Sequence, residues 1–153
     1  IFVPVGDGVI ISGVYKGFED LLKLGFIEKM PVIIAVQSEQ SKNLTANIHS
    51  ENWQTYPSDT IADSISVDIP RNFYMAKDFL LKYNGEILEV SDESIIQASV
   101  QLSKQTGIFA EPAAATAFAG YLNYKNQNKL ETGSKNIVML TGSGLKDAKT
   151  HQS

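Results

Sequence analysis

Two short segments combine residue types that hold anions and polar rings. In Pro4-Val5-Gly6-Asp7-Gly8-Val9-Ile10, a glycine turn separates an apolar run from a helical pattern. A strand, a tight glycine turn and a helix start bring free backbone N–H groups and the positive end of a helix dipole to one point. Glycine there lets the backbone approach an anion with no Cβ between them. The third glycine of a dinucleotide turn is absent, as is the Lys-Ser/Thr ending of a nucleotide P-loop. A phosphate site and an ordinary strand-to-helix turn both fit these residues. The second segment, Leu140-Thr141-Gly142-Ser143-Gly144, closes the last predicted strand. Ligands of open α/β sheets gather at such carboxyl ends. The Thr141 hydroxyl can share a hydrogen bond with a ring nitrogen, or bond to nearby backbone instead.

Other chemistry finds little support. His49 and His151 are the two histidines, and neither has metal or triad spacing; His49 is expected on a surface loop and His151 in a patternless tail. Asp59, Asp63 and Asp68 share one segment but lack the glycine and terminal Glu of an EF-hand loop, which favours solvated or capping carboxylates. Trp53 and Tyr56 suit packing anchors. With no cysteine, disulfides, thiolate nucleophiles and cysteine-bound zinc are excluded. A net charge of −4 with scattered Lys and Arg argues against nucleic acid. No apolar run approaches the roughly 20 residues of a membrane span, and no signal peptide is visible. A cytoplasmic protein is expected.

The elements that must position these segments alternate strand and helix, the pattern of an α/β fold with a mainly parallel sheet. Strands are expected at Ile1–Val5, Pro31–Val36, Glu86–Val90 and Asn136–Leu140. Helical spacing runs from about Val9, with Ile11, Tyr15, Phe18 and Leu22 on one face and Gly25 at the C-cap. A short helix is expected within Ser38–Pro57, and longer ones over Arg71–Tyr83, from a Ser91 cap to about Thr106, and from Pro112. The last carries Ala113, Ala114, Ala115, Ala117, Ala119 and Gly120, small enough for close packing on a sheet. Without repeats or a linker, residues 1–153 form one expected domain. The chain opens in a buried strand without an initiating Met, so it is expected to be a fragment of a longer polypeptide.

Taken together, the motifs resemble those of a known family. Val3-Pro4-Val5-Gly6-Asp7-Gly8 running into a helix resembles the phosphate loop of threonine synthases, within the tryptophan-synthase-β-like, fold type II pyridoxal-phosphate (PLP) enzymes. Phe109-Ala110-Glu111-Pro112-Ala113-Ala114-Ala115 resembles that family's Glu-Pro-Ala/Ser segment near the cofactor ring. Leu140-Thr141-Gly142-Ser143-Gly144-Leu145-Lys146-Asp147 is similar to the closing Leu-Thr-Gly-x-Gly-Leu-Lys-Asp of threonine synthases. The block from Thr60 to Val67 resembles a segment shared with serine and threonine dehydratases.

This resemblance implies a three-layer αβα fold, the large-domain portion of a fold type II enzyme, with pyridoxal 5′-phosphate as cofactor. It implies that backbone amides of Gly6, Asp7, Gly8, Val9 and Ile10 hold the cofactor phosphate, and that Thr141 faces the pyridine nitrogen. Glu111 is either a near-ring residue or a helix N-terminal cap. Dehydratases of this fold usually place Ser or Cys at the Thr position, so Thr141 favours the synthase branch. The activity implied for the longer enzyme is a lyase reaction on an amino-acid substrate, O-phosphohomoserine to threonine and phosphate. The rivals are β-replacement on O-phosphoserine, serine/threonine dehydration, and a non-catalytic binding domain. A homo-oligomer, taken as a dimer, is implied, with no nucleic-acid or membrane partner.

Four departures matter. Asp7, Val9 and Ile10 stand where the family favours Gly and Asn, so Asp7 is expected to turn away from a phosphate or to act as a cap. Ser143 replaces a common His. Gln37 lies near where some relatives place an acidic metal ligand, and no metal is expected. The family's Schiff-base lysine precedes the phosphate loop by a long stretch, so no catalytic residue is expected in this chain. Lys16 and Lys146 are expected to be solvated surface charges.

Overall fold

The computed structural model describes residues 1–147; the tail expected to be patternless, with His151, lies outside them. Three parallel strands form the sheet in the order β1 (Phe2–Pro4), β2 (Ile34–Ser38), β3 (Glu86–Val90). Between β1 and β2 runs helix α1 (Val9–Lys23). Between β2 and β3 lie α2 (Asn43–Asn47), a 3₁₀ turn at Asp63–Ile65 and α3 (Phe73–Lys82). Helices α4 (Asp92–Thr106) and α5 (Pro112–Asn126) follow β3.

Alternation along each strand decides which layer receives which side chain. Val3, Val5, Ala35 and Ile87 pack with Ile11, Tyr15, Phe73, Ala76 and Leu80 of α1 and α3. Phe2, Ile34, Val36, Leu88 and Val90 pack on the other face with Ile95 and Ala98 of α4 and the small residues of α5. The result is the expected three-layer αβα arrangement. Its alanine-rich layer allows close approach: a Cβ on Gly120 would come within 2.6 Å of Val36 Cγ2. Phe2 fills the remaining space edge-on to Tyr121 and Tyr124, at 5.6 and 5.4 Å between ring centroids. Across the sheet, Tyr15 stacks on Phe79 at 5.4 Å, joining α1 to α3.

Helix ends follow local chemistry. Ser91 accepts the Ser94 amide at 3.2 Å as the N-cap of α4, and Gly107 closes that helix at φ 74°. After α1, Gly25 at φ 76° lets Phe26 N–H reach Leu21 O at 2.9 Å.

Three strands differ from expectation. The first spans Phe2–Pro4 rather than Ile1–Val5. The second starts at Ile34 rather than Pro31 and ends at Ser38 rather than Val36, the latter because two polar side chains are paired inside. Gln37 donates from Nε2 to Val5 O at 3.1 Å and accepts the Thr45 amide on Oε1 at 2.9 Å. Ser38 donates to Asp92 Oδ1 at 2.9 Å. Gln37 thus spends its amide on structure, at a position weighed above as a metal-ligand site. The expected strand at Asn136–Leu140 is reduced to one parallel bridge, Phe2 with Val138, held by Phe2 N–H to Ile137 O at 2.8 Å and Met139 N–H to Phe2 O at 3.0 Å. It still delivers Thr141 beside the end of β1.

Candidate functional site

At the carboxyl ends of the strands lies a cavity of about 280 Å³. Its walls include Gly6–Ile11, Ser64, Ile65, Glu111, Thr141 and Lys146. Every residue singled out above for binding is therefore brought to one place, from segments far apart in sequence.

The first wall is the turn between β1 and α1. Val5 N–H is anchored to Val36 O at 2.9 Å, which stops the strand. Gly8 is the N-cap of α1 at φ 84°, a left-handed conformation that suits glycine. The amides of the first helical turn have no intrahelical acceptor, and the helix dipole adds partial positive charge there. The glycines clear protein rather than ligand. A Cβ on Gly6 would lie 2.8 Å from Ile65 Cα, and one on Gly8 would lie 3.0 Å from Ala76 Cβ and 3.2 Å from Asn72 O.

Asp7 finds protein donors, in line with the expectation that it turns away or caps. Its Oδ1 accepts the Arg71 amide at 3.1 Å, and its carbonyl accepts the Asn72 amide at 3.0 Å. Asn72 completes the brace, donating from Nδ2 to Gly8 O at 3.2 Å and to Ser12 Oγ at 2.7 Å. Ser12 in turn donates to Gly8 O at 2.7 Å. The start of α3 thereby holds the turn from behind. Val9 and Ile10 keep their side chains exposed.

The opposite wall is built by α5 and the closing segment. Glu111 occupies the N-cap position of α5, yet its side chain makes no capping bond. It is buried at 4 % exposure. Its Oε2 accepts Ser64 Oγ–H at 3.3 Å and faces Lys146 Nζ at 3.4 Å. Residues 109–111 and 142–144 are tied antiparallel: Glu111 N–H donates to Gly142 O at 3.1 Å, and Gly144 N–H to Phe109 O at 2.9 Å. Thr141 is exposed at the cavity rim. Ser143 turns back, its Oγ accepting the Leu145 amide at 3.3 Å.

Lys146 is mostly exposed, in keeping with the solvated surface charge expected, but it also lines the cavity and pairs with Glu111. Lys16 is paired with Asp20 at 2.5 Å on the outside of α1. Asn72, Ser12, Ser64 and Lys146 were not singled out as site residues from the sequence. Ser64 belongs to the Thr60–Val67 block, which was the one available signal. That block is fastened by Asp92, which accepts Thr60 Oγ1–H at 2.5 Å and Ile61 N–H at 3.0 Å.

The remaining candidates take structural places. His49 is exposed, Asp68 accepts the Ser58 amide at 2.7 Å, and Trp53 packs edge-on to Phe73 at 4.9 Å. Among the described residues, no three His, Asp or Glu side chains gather to hold a metal ion, and no helix is long and apolar enough to cross a membrane.

A family model described as pyridoxal-phosphate dependent enzyme matches residues 1–142. Among curated proteins, the chain is 30% identical over 150 residues to a protein named threonine synthase from Methanocaldococcus jannaschii, covering 96% of this chain and 37% of that protein. It is 31% identical over 155 residues to one of the same name from Halalkalibacterium halodurans, covering 99% and 41%. The chain thus spans about two fifths of the length of these relatives. Among solved structures, the processed form of threonine deaminase isoform 2 from Solanum lycopersicum superposes with a TM-score of 0.77 at 24% identity, over 97% of this chain and 41% of that one. A fungal L-serine ammonia-lyase from Rhizomucor miehei gives 0.76 at 20% identity, over 98% and 48%.

Proposed function

The chain belongs to the pyridoxal-phosphate dependent enzyme family, whose cofactor is pyridoxal 5′-phosphate, and on that premise we propose that it is the cofactor-binding part of a threonine-synthase-like enzyme. In this proposal the whole enzyme is a carbon–oxygen lyase that converts O-phosphohomoserine to threonine and phosphate. The observation that carries it is the convergence of Gly6–Ile10, Glu111 and Thr141 on one cavity. The substrate rests on relatives named threonine synthase that align with nearly the whole chain.

The donor set suits the cofactor. Amides from Gly6 to Ile10 would hold its phosphate, with Asp7 kept occupied by Arg71 N–H. Thr141 would meet the pyridine nitrogen with a neutral hydroxyl, which leaves that nitrogen largely unprotonated. Glu111 would stand beside the ring. When bound, the cofactor supplies an electron sink for the reacting carbon. This chain's residues would bind and orient it. The lysine that moves the protons, and most groups that hold the substrate's carboxylate and phosphate, would come from a preceding part of a longer enzyme. A cytoplasmic homodimer fits this assignment.

Product analysis of the enzyme carrying this chain tests the reading. With pyridoxal phosphate and O-phosphohomoserine, threonine and phosphate should appear in equal amounts. Turnover of O-phosphoserine, serine or threonine instead would keep the cofactor site and move the activity to a sister enzyme.

A further inference from the structure

Glu111 is a buried carboxylate with one cationic partner in reach among the described residues, and that partner is not on its own helix. Burying a carboxylate is costly unless it is paired and hydrogen-bonded. Ser64 Oγ–H contributes a long bond at 3.3 Å to the same oxygen that faces Lys146. Among the described residues, Lys146 Nζ is therefore the main source of opposite charge for Glu111. Among the described residues, it is also the single basic side chain lining the cavity.

Backbone geometry delivers that ammonium. Glu111 N–H to Gly142 O and Gly144 N–H to Phe109 O fix the closing segment against the start of α5, and Lys146 N–H bonds Ser143 O at 3.1 Å within a tight 3₁₀ turn. Thr141 lies on the same segment, one residue before the first of these bonds. Moving the Glu111 carboxylate would take it out of the space beside Gly142 that it now fills and into the cavity. That movement would disturb the wall that Thr141 and Glu111 form together.

We propose that Lys146 is a positioning residue for the cofactor pocket, holding the buried Glu111 carboxylate against the wall so that Glu111 and Thr141 keep a fixed spacing. The proposal rests on the pyridoxal-phosphate reading above and assigns Lys146 no contact with the reacting atoms. Lys146 itself stays mostly exposed, so holding its ammonium there contributes little to folding. Its effect is on the geometry of the bound cofactor.

Pyridoxal phosphate is titrated into the full chain by equilibrium dialysis, with thermal melting measured beside it. Lys146→Met should weaken binding by about 2- to 5-fold, the scale of an ion pair with an exposed cation, with an unchanged melting midpoint. Lys146→Arg should restore binding to within about twofold, since it keeps the charge and the reach. On a Glu111→Gln background, Lys146→Met should have no further effect, because the partner it positions is gone. The proposal is overturned if Lys146→Met binds as wild type, if it loses melting temperature in step with binding, or if its loss multiplies with that of Glu111→Gln. Should Glu111→Gln fail to fold, the Met and Arg variants decide alone: loss with rescue supports the assignment, and any other pattern overturns it. No binding by the wild-type chain would overturn the cofactor reading itself, an outcome distinct from binding that ignores Lys146.

Discussion

A β-carbon on Gly142 would occupy the space already filled by the carboxylate of Glu111. The two residues also share a backbone bond, Glu111 N–H to Gly142 O at 3.1 Å, so neither can withdraw from the other without opening the bridge between residues 110 and 143. A glycine that looks like part of a flexible closing motif is in fact the clearance for a buried acid.

Gly142→Ala should therefore force either Glu111 or the closing segment out of place, costing about 1–3 kcal/mol as overpacking does. It should also weaken pyridoxal phosphate binding. Gly13→Ala supplies the contrast. Gly13 lies within α1 with nothing within 4 Å of an added Cβ, so alanine should stabilise by up to about 1 kcal/mol. Urea unfolding of both variants checks this. Equal effects from the two glycines would sink the steric account.

The turn at Gly6–Gly8 depends on a residue that carries no ligand-binding signature. Asn72 reaches both Gly8 O and Ser12 Oγ, and Ser12 bonds Gly8 O as well. Asn72→Ala leaves Gly8 O with Ser12 as its side-chain donor and should cost about 1–2 kcal/mol in stability. Binding of inorganic phosphate or pyridoxal phosphate should fall further than stability does, because the turn loses its fixed shape. Asn72→Asp should be worse for anion binding than alanine, since it adds a second carboxylate near Asp7. Phosphate titration of the three proteins reads the order; wild-type affinity in both variants would refute the brace.

What the sequence made legible follows from how local each signal is. The Gly6–Ile10 turn, Pro112 at the start of α5, the Ser91 cap and the Gly107 stop are all encoded within a few neighbouring residues, and each stands where it was expected. The division of Val3 and Val5 from Phe2 between the two cores then follows from strand alternation. Asn72, Ser12 and Lys146 escaped notice as site residues because their partners lie 60 and 64 residues away, or 35 for Lys146 and Glu111. No short-range pattern marks a residue for such a bond. Gln37 and Ser38 show the same limit in the strands: polarity ends a strand on paper, while Val5 O, Thr45 N–H and Asp92 pay for their burial in the fold. Glu111 was balanced between two roles because an N-cap position and a pocket wall coincide there, and only the side-chain direction separates them.

Glu19 ties α1 to α3 and makes acid stability predictable. Its carboxylate accepts from Lys23 at 2.7 Å, Lys82 at 2.6 Å and Tyr83 Oη at 2.7 Å. Hydrogen bonds from Lys23, Lys82 and Tyr83 lower its pKa from 4.5 to about 2. A folded pKa below the unfolded one means the stabilisation is complete above about 4.5 and is lost as pH falls towards 2. The lysines report the other end: hydrogen bonding to Glu19 raises both above 10.5, so their share is present below that pH and fades as pH rises through the raised values. Glu19→Gln should thus be less stable than wild type at neutral pH, with the difference closing at pH 2. Urea midpoints for both proteins across pH 2–7 check this, and a gap that persists unchanged at pH 2 would rule the linkage out.

Lys146 also bears on whether this chain can attach the cofactor by itself. It is the described lysine that lines the cavity, so it is the one placed to compete for the aldehyde of a bound pyridoxal phosphate. Its Nζ is held by Glu111 Oε2 at 3.4 Å, and it has to leave that partner before it can attack a carbonyl as a free amine. Borohydride reduction of the chain with pyridoxal phosphate, followed by peptide mapping, should give sub-stoichiometric label spread over exposed lysines such as Lys16. Removing the counter-charge should change that outcome, with Glu111→Gln shifting label towards Lys146 at the same pH. One lysine labelled stoichiometrically in the wild-type chain would show that the chain holds its own attachment point, and would overturn the assignment of that lysine to another part of a longer enzyme.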